Sequence, residues 1–420
     1  MKSVAFILIL VSIFFTKKAT ISWLSPALFF SLFWLIFLIV PLIFAPEYIV
    51  SDYSIWFVAT LITSCCSGSI LATKVKILNN PIFFTSNQKI DLAKLAKPLL
   101  FFIFISVVGI IALIRFTLNL YVSYENLSLL LLPNLISIDR YNEIIYYPPY
   151  VNYSLYFIYP ACILGGAIFS FRLEKQYLKI ISIVPITLSI AIGFIEGTRY
   201  GILLAFTLFF STYVASIALQ NNKEQKFTLV KSFIYLIIIL GVFVFLFVLI
   251  QWLRQGLDPI IIDLLILKIK SYFFGYLSAF SNWLENINSI FFINGEFSTF
   301  AGPMNLFGLI ERRLGFYDPI EINYYTSTNI FTAFRGLISD FSISGAIIFV
   351  FILGFIFQFY FQKNKKNELD GILPISIFYS FIIYSPLISI FHYNSIVFSW
   401  FLIYLIFKIN SLNENLVNYS

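Results

Sequence analysis

Long runs of Ile, Leu, Phe and Val recur from one end of this chain to the other, separated by short clusters of Lys, Glu, Asn and Asp. Runs of about 18 or more mostly apolar residues cross a hydrocarbon core of about 30 Å when they fold as helices. The pattern predicts eleven spans, near 3–16, 21–44, 52–73, 98–120, 151–171, 180–195, 200–219, 232–250, 337–361, 372–390 and 394–407. No small-residue cleavage pattern precedes the second run, so 3–16 is expected to stay as a first, rather short helix and not to leave as a signal peptide. The expected fold is an all-α polytopic integral membrane protein, one membrane domain over 1–420, with a long and partly helical loop at 251–336.

Composition supports this. The 420 residues are 60% hydrophobic and 11% charged, against about 25% charged in a soluble domain. Cys65, Cys66 and Cys162 all lie inside apolar runs and the chain has one histidine. A disulfide framework or a Cys/His metal site lacks ligands, so no metal is expected and the cysteines are read as small buried hydrophobes. The formal charge of +7 does not point to nucleic acid, because no basic stripe with interleaved aromatics occurs on a soluble segment.

Where the charge sits tells more than its sum. Lys17-Lys18, Lys74 to Lys97, Arg172 to Lys179, Lys223 to Lys231, Lys363 to Lys366 and the tail from Lys408 fall in alternate loops, which the positive-inside rule places in the cytoplasm. The remaining loops, 45–51, 121–150, the turn at 196–199, 251–336 and the loop around His392, are then extracytoplasmic. Sixteen of 19 lysines are on the cytoplasmic side, the exceptions being Lys2, Lys268 and Lys270. Of eight arginines only Arg172 is there; Arg115, Arg140, Arg199, Arg254, Arg312, Arg313 and Arg335 lie outside or at outer helix ends. Orientation alone is indifferent between the two residue types. A guanidinium fork binds phosphate and carboxylate in a bidentate way and stays charged, so the bias fits an anionic group handled at the outer leaflet. The bland alternative is snorkelling to headgroups or pairing with nearby acids, as Arg140 beside Asp139 suggests.

The 86 residues 251–336 exceed any ordinary connection. Pro259 to Trp283 mixes Ile, Leu, Phe and Tyr with Asp263, Lys268 and Lys270, a pattern suited to helices lying in the membrane interface. Asn294-Gly295-Glu296 and Ser298 to Pro303 are turn signals, and Glu311-Arg312-Arg313 follows. Thr332, Arg335 and Ser339 share a face if the next helix already runs there. Asp340, a charge just inside an apolar run, is either a buried partner or a catalytic group.

Between the sixth and seventh spans stands Gly193-Phe194-Ile195-Glu196-Gly197-Thr198-Arg199-Tyr200-Gly201. Gly197 and Gly201 permit a tight turn. Thr198 is a candidate N-cap whose helix end would point at the same spot as Arg199, an anion site at the membrane surface. Glu196 either pairs with Arg199 or takes a proton from a sugar hydroxyl.

In order along the chain, Gly197-Thr198-Arg199-Tyr200-Gly201, Leu253-Arg254-Gln255-Gly256, Tyr272-Phe273-Phe274-Gly275-Tyr276 with Phe280 and Trp283, and Thr328-Asn329-Ile330-Phe331-Thr332 with Asp340-Phe341 and Gly345 resemble the Wzy-type oligosaccharide repeat-unit polymerases of bacterial surface polysaccharides. The likeness covers about 190–360. Family members often carry glycine after the Asp-Phe pair, where this chain has Ser342. The resemblance implies a GT-C-like membrane glycosyltransferase in the bacterial inner membrane. It would move a glycan from undecaprenyl pyrophosphate onto a second lipid-linked repeat unit at the extracytoplasmic face, with no cofactor and with a chain-length regulator as possible partner. It casts Arg199, Arg254 and Arg335, with Arg312 and Arg313 behind them, as pyrophosphate ligands stabilising the charge of the leaving group. Glu196, Asp340 and His392 become candidate bases, and Tyr272, Tyr276 and Trp283 candidate sugar-stacking residues. An O-antigen ligase would use the same donor. A lipid-linked oligosaccharide flippase or transporter would also need many spans, but the sequence shows no internal repeat of the kind transporters carry.

Overall fold

In lipid a backbone N–H or C=O has no water to bond, so apolar runs settle as helices that satisfy their own backbone. The computed structural model describes residues 2–20, 22–75, 92–124, 131–171, 176–219, 241, 244–252, 262–287, 297–311, 317–324, 326–363 and 369–418. In chain order the helices are α1 (Lys2–Thr20), α2 (Pro26–Phe44), α3 (Asp52–Lys74), α4 (Leu92–Ser123), α5 (Leu132–Tyr141), α6 (Pro149–Tyr156), α7 (Ile158–Ser170), α8 (Gln176–Glu196), α9 (Tyr200–Leu219), α10 (Ile262–Glu285), α11 (Ala301–Leu306), α12 (Ala333–Lys363), α13 (Leu369–Tyr384) and α14 (Asn394–Asn418). Among the described residues eight helices are long and apolar enough to cross a membrane, and two shorter apolar ones accompany them. The protein is an all-α polytopic membrane protein.

The first run makes a full 19-residue helix, longer than the short one expected. The run at 151–171 is two helices, α6 and α7, meeting at Phe157. Most of the span expected at 232–250 lies outside the described residues, of which 244–252 are helical. All three cysteines are buried and unoxidised.

The chain divides into two compact units, a division the sequence did not announce. One comprises Met1–Ile90, Ser211–Leu219 and Lys270–Ser420, the other Asp91–Phe210 and Gln220–Ile269. In the first unit α3 and α12 touch backbone to backbone. A β-carbon on Gly68 would sit 2.1 Å from the Phe351 carbonyl oxygen, and one on Gly354 would sit 2.2 Å from that of Cys65. The Ser64 hydroxyl donates to the Ile347 carbonyl, 2.8 Å away. Small residues that let helices approach this closely replace the hydrophobic driving force that lipid cannot supply. Trp34 of α2 closes the other side, its ring 4.5 Å from that of Phe334 and its indole N–H donating to Ser385 Oγ at 3.0 Å.

The part of α10 in this unit, expected from its mixed composition to rest at the membrane interface, packs into the protein. Leu277, Ala279 and Phe280 are wholly buried, and Ser281 donates to Ser51 Oγ at 2.9 Å while Ser278 donates to the Ile49 carbonyl at 2.8 Å. Its serines and tyrosines bond inward, and that is why the helix reads as amphipathic. A short hairpin that the sequence pattern did not suggest pairs β1 (Ile320–Asn323) with β2 (Thr326–Thr328). Asn323 Oδ1 closes it by accepting from the Thr326 N–H and hydroxyl, at 2.8 and 2.7 Å.

α12 is kinked at Ser342, where φ is 67° and ψ 174°. This region of backbone space is open almost only to glycine. The Ser342 hydroxyl compensates in part, accepting from the Gly345 N–H at 3.3 Å as the cap of the following helical segment. Strain of about 1–3 kcal/mol outweighs the few tenths that a Ser→Gly cap change costs. Ser342→Gly is therefore expected to raise the thermal midpoint of the purified protein, and Ser342→Ala, which keeps the β-carbon and loses the cap, to lower it. Gly354→Ala should destabilise by about 1–3 kcal/mol through overpacking, read as earlier loss of the monodisperse peak on heating.

Candidate functional site

In the second unit an open depression is walled by α5, α6, the start of α7, α8 and the start of α9. Its lining includes Arg140, Asn152, Tyr156, Tyr159, Glu196 and Tyr200, and it holds ≈ 570 Å³ with the solvent at its mouth included. The sequence builds it through two chain reversals. Pro148-Pro149 starts α6 with a proline in its first turn, where a missing N–H costs nothing. Gly197 ends α8 with φ at +61°, and a β-carbon there would meet the Pro133 carbonyl at 2.5 Å, so both conformation and space demand glycine. Gly201 has no such need: Tyr159 OH, 3.6 Å from where its β-carbon would stand, is the nearest group.

Glu196 carries the floor. Its Oε1 lies 3.0 Å from Arg140 Nη1, with 7% of the acid side chain and 21% of the base exposed. Its Oε2 accepts from the Thr198 hydroxyl at 3.0 Å. The carboxylate is thus held by Arg140, far away in sequence, and not by its neighbour Arg199. Asp139, the expected partner of Arg140, is instead taken by the Tyr124 hydroxyl at 2.5 Å. Thr198 is not an N-cap: α9 begins at Tyr200, and the residue standing before it is Arg199, whose carbonyl accepts from Leu203 N–H at 3.1 Å. The guanidinium of Arg140 also stacks on Tyr147, 4.3 Å from the ring centre, and donates to its hydroxyl at 3.4 Å. Burial by itself would lower the pKa of Arg140, but Glu196, then Tyr200 and Tyr147, more than reverse it, so the group stays charged. Burial, then the Glu196 charge, pushes the Tyr147 phenol up and keeps it neutral.

Arg199 lies over Phe247, 4.3 Å from the ring centre. The other sites expected from the sequence and described by the structure belong to the first unit. There Arg335, in the first turn of α12, is enclosed by rings. Its guanidinium carbon is 4.0 Å from the centre of Tyr317, 4.1 Å from Phe331 and 5.2 Å from Trp283. Stacking of this kind fixes a cation in place without cancelling its charge. Asp340 clamps the chain: Oδ1 accepts from the Ser298 N–H at 2.8 Å and Oδ2 from the Thr299 N–H at 2.7 Å. His392 is 4% exposed, at the end of a single 3-10 turn, Ile390–His392, so it is not the interfacial residue that a lone histidine at a helix end usually is. Tyr272 is half-buried one turn before Tyr276. As a sugar-stacking residue Tyr276 is corrected: it is 2% exposed and its hydroxyl is spent on the Phe37 carbonyl, which leaves no ring face to a ligand. Arg254, Arg312 and Arg313 lie outside the described residues.

Sequence reasoning named Glu196, Arg335 and Trp283 but joined neither pair that matters, Glu196 with Arg140 or Trp283 with Arg335. Each pair spans more than 50 residues, and no periodicity links them. The one available signal at the first was Tyr146-Tyr147-Pro148-Pro149-Tyr150 following Arg140, an aromatic and rigid stretch leading into α6.

No protein-family model, no curated protein and no solved structure matches this chain.

Breaking a buried pair strands a charge and costs about 3–5 kcal/mol. Glu196→Gln or Arg140→Gln alone should therefore destabilise the purified protein far more than the two together, which a double-mutant cycle on thermal midpoints reads directly. The Asp139 bond, then burial, holds the Tyr124 phenol up at about 12. Because the folded value is raised above the ordinary phenol value of about 10, that bond stabilises the fold fully below about pH 10 and its contribution is lost as pH rises through about 12. In Asp139→Asn the tyrosinate absorbance should grow in at lower pH than in the parent.

Proposed function

We propose that this protein is a membrane glycosyltransferase of GT-C-like architecture with eleven spans, which extends an undecaprenyl-pyrophosphate-linked glycan at the extracytoplasmic face of the bacterial inner membrane. In this role it polymerises repeat units into O-antigen or capsule. The single observation that carries this is the sorting of cations by side: sixteen of 19 lysines in one set of loops, seven of eight arginines in or beside the other. Arg335 supports it. Three aromatic rings hold its guanidinium at a helix start, which suits a fixed binding group for an anion.

The reaction breaks the bond between the anomeric carbon of the donor glycan and its diphosphate oxygen and forms one to an acceptor hydroxyl oxygen. The diphosphate leaves with the electron pair, and the acceptor proton passes to a base drawn from Glu196, Asp340 or His392. Fixed guanidinium groups answer the charge growing on the departing oxygen without reorganising. Arg199, Arg254, Arg335, Arg312 and Arg313 are the candidates for that task.

Loss of one such donor costs about 10²–10³ in rate. A bacterium lacking this chain should display surface glycan capped with single repeats, and complementation with Arg199→Ala, Arg254→Ala or Arg335→Ala should leave that phenotype in place at unchanged protein level. Normal long-chain ladders in all three variants would overturn the proposal.

A further inference from the structure

The depression of the second unit has no work in the charge argument above, because its arginine is already answered. Arg140 and Glu196 meet at 3.0 Å, and the far oxygen of Glu196 is fixed by Thr198. A phosphate entering here would have to push the carboxylate away from Arg140 and then sit beside it, two anions in a poorly hydrated place. A neutral ligand meets no such conflict. It finds a lining that carries the ion pair, Asn152, Tyr156, Tyr159 and Tyr200, with Ile192 among the apolar residues. Asn152 already donates to the Tyr147 carbonyl at 3.2 Å and the Tyr200 hydroxyl bonds Arg140, so these polar groups are held in place beside the ligand. Closely spaced donors and acceptors next to apolar surface match the equatorial hydroxyls and the C–H faces of a sugar ring.

We propose that this depression is a subsite for an uncharged pyranose ring, and that it excludes phosphate because the Arg140–Glu196 pair compensates itself. Assigning that ring to the acceptor end of a growing glycan rests on the glycosyltransferase function proposed above. The binding chemistry does not. Glu196 thereby acts as a selectivity element: its charge keeps anions out of the one outer arginine site that is meant for sugar.

The test uses the full-length protein in nanodiscs, with a neutral methyl hexoside, a methyl N-acetylhexosaminide and a methyl 6-deoxyhexoside as sugar probes and inorganic pyrophosphate as the anion. Saturation transfer should reach at least one glycoside, unchanged between low and high salt, and fall about fivefold or more in Asn152→Ala and Tyr200→Ala, the loss of about one hydrogen bond. Tyr200 is exposed but its hydroxyl bonds Arg140, so the thermal midpoint of each variant is read beside its binding. Pyrophosphate binding, followed by phosphorus line width, should match the parent in the Arg140→Gln/Glu196→Gln pair and strengthen in Glu196→Gln, where Arg140 loses its counter-charge. No transfer to any glycoside, transfer unaffected by Asn152→Ala and Tyr200→Ala, or weaker pyrophosphate binding in the double variant would each overturn the proposal. Long glycan chains made in cells by a protein that binds no glycoside would remove the subsite and spare the enzyme; glycoside binding by a protein whose deletion leaves chains long would do the reverse.

Discussion

A polar group that leaves water must find its partner inside the protein, and nearly every irregular feature of this chain follows from that requirement. Helices meet it for themselves. Where a helix stops, a side chain takes over: Asp340 receives the N–H groups of Ser298 and Thr299, Asn323 closes the hairpin, and Tyr276 and Tyr379 reach across to the carbonyls of Phe37 and Leu24. Serines and threonines turn their hydroxyls back onto their own helices, as Thr16 does to Ser12 and Ser31 to Ala27. Polarity along this sequence is therefore a poor guide to exposure. A polar residue here is as often a connector as a surface.

Charge obeys the same rule at a higher cost, and the structure answers it in two ways. Arg140 is met by a carboxylate and becomes part of a neutral unit. Arg335 is met by the rings of Tyr317, Phe331 and Trp283. The same residue type is thus held once through a carboxylate and once among aromatic faces. Counting arginines on a loop does not reveal this; their partners do.

Close helix contact sets the remaining limits. Gly68 and Gly354 let α3 and α12 run backbone against backbone, so α12 cannot shift there without a clash. Its first limb is pinned separately by Asp340, and the Ser342 kink takes up the difference in direction between the two anchored parts. The strain at Ser342 is where these two sets of contacts meet.

The all-α membrane class, the turn at 196–199 and the burial of the cysteines were legible in the sequence, because hydrophobic length and turn chemistry act over a few residues. Glu196 and Arg335 could be singled out as charges at odds with their surroundings. What they touch could not: Arg140 comes to Glu196, and Trp283 to Arg335, only when distant helices pack. The same packing buried Tyr276 and gave the hydroxyl of Thr198 to Glu196, so local capping and stacking expectations failed at both. One-dimensional pattern thus determined which segments form helices long and apolar enough to cross a membrane, since transfer free energy adds along a helix. The tertiary structure alone decided what each charge meets, since that depends on approach within a few ångströms between residues far apart in the chain.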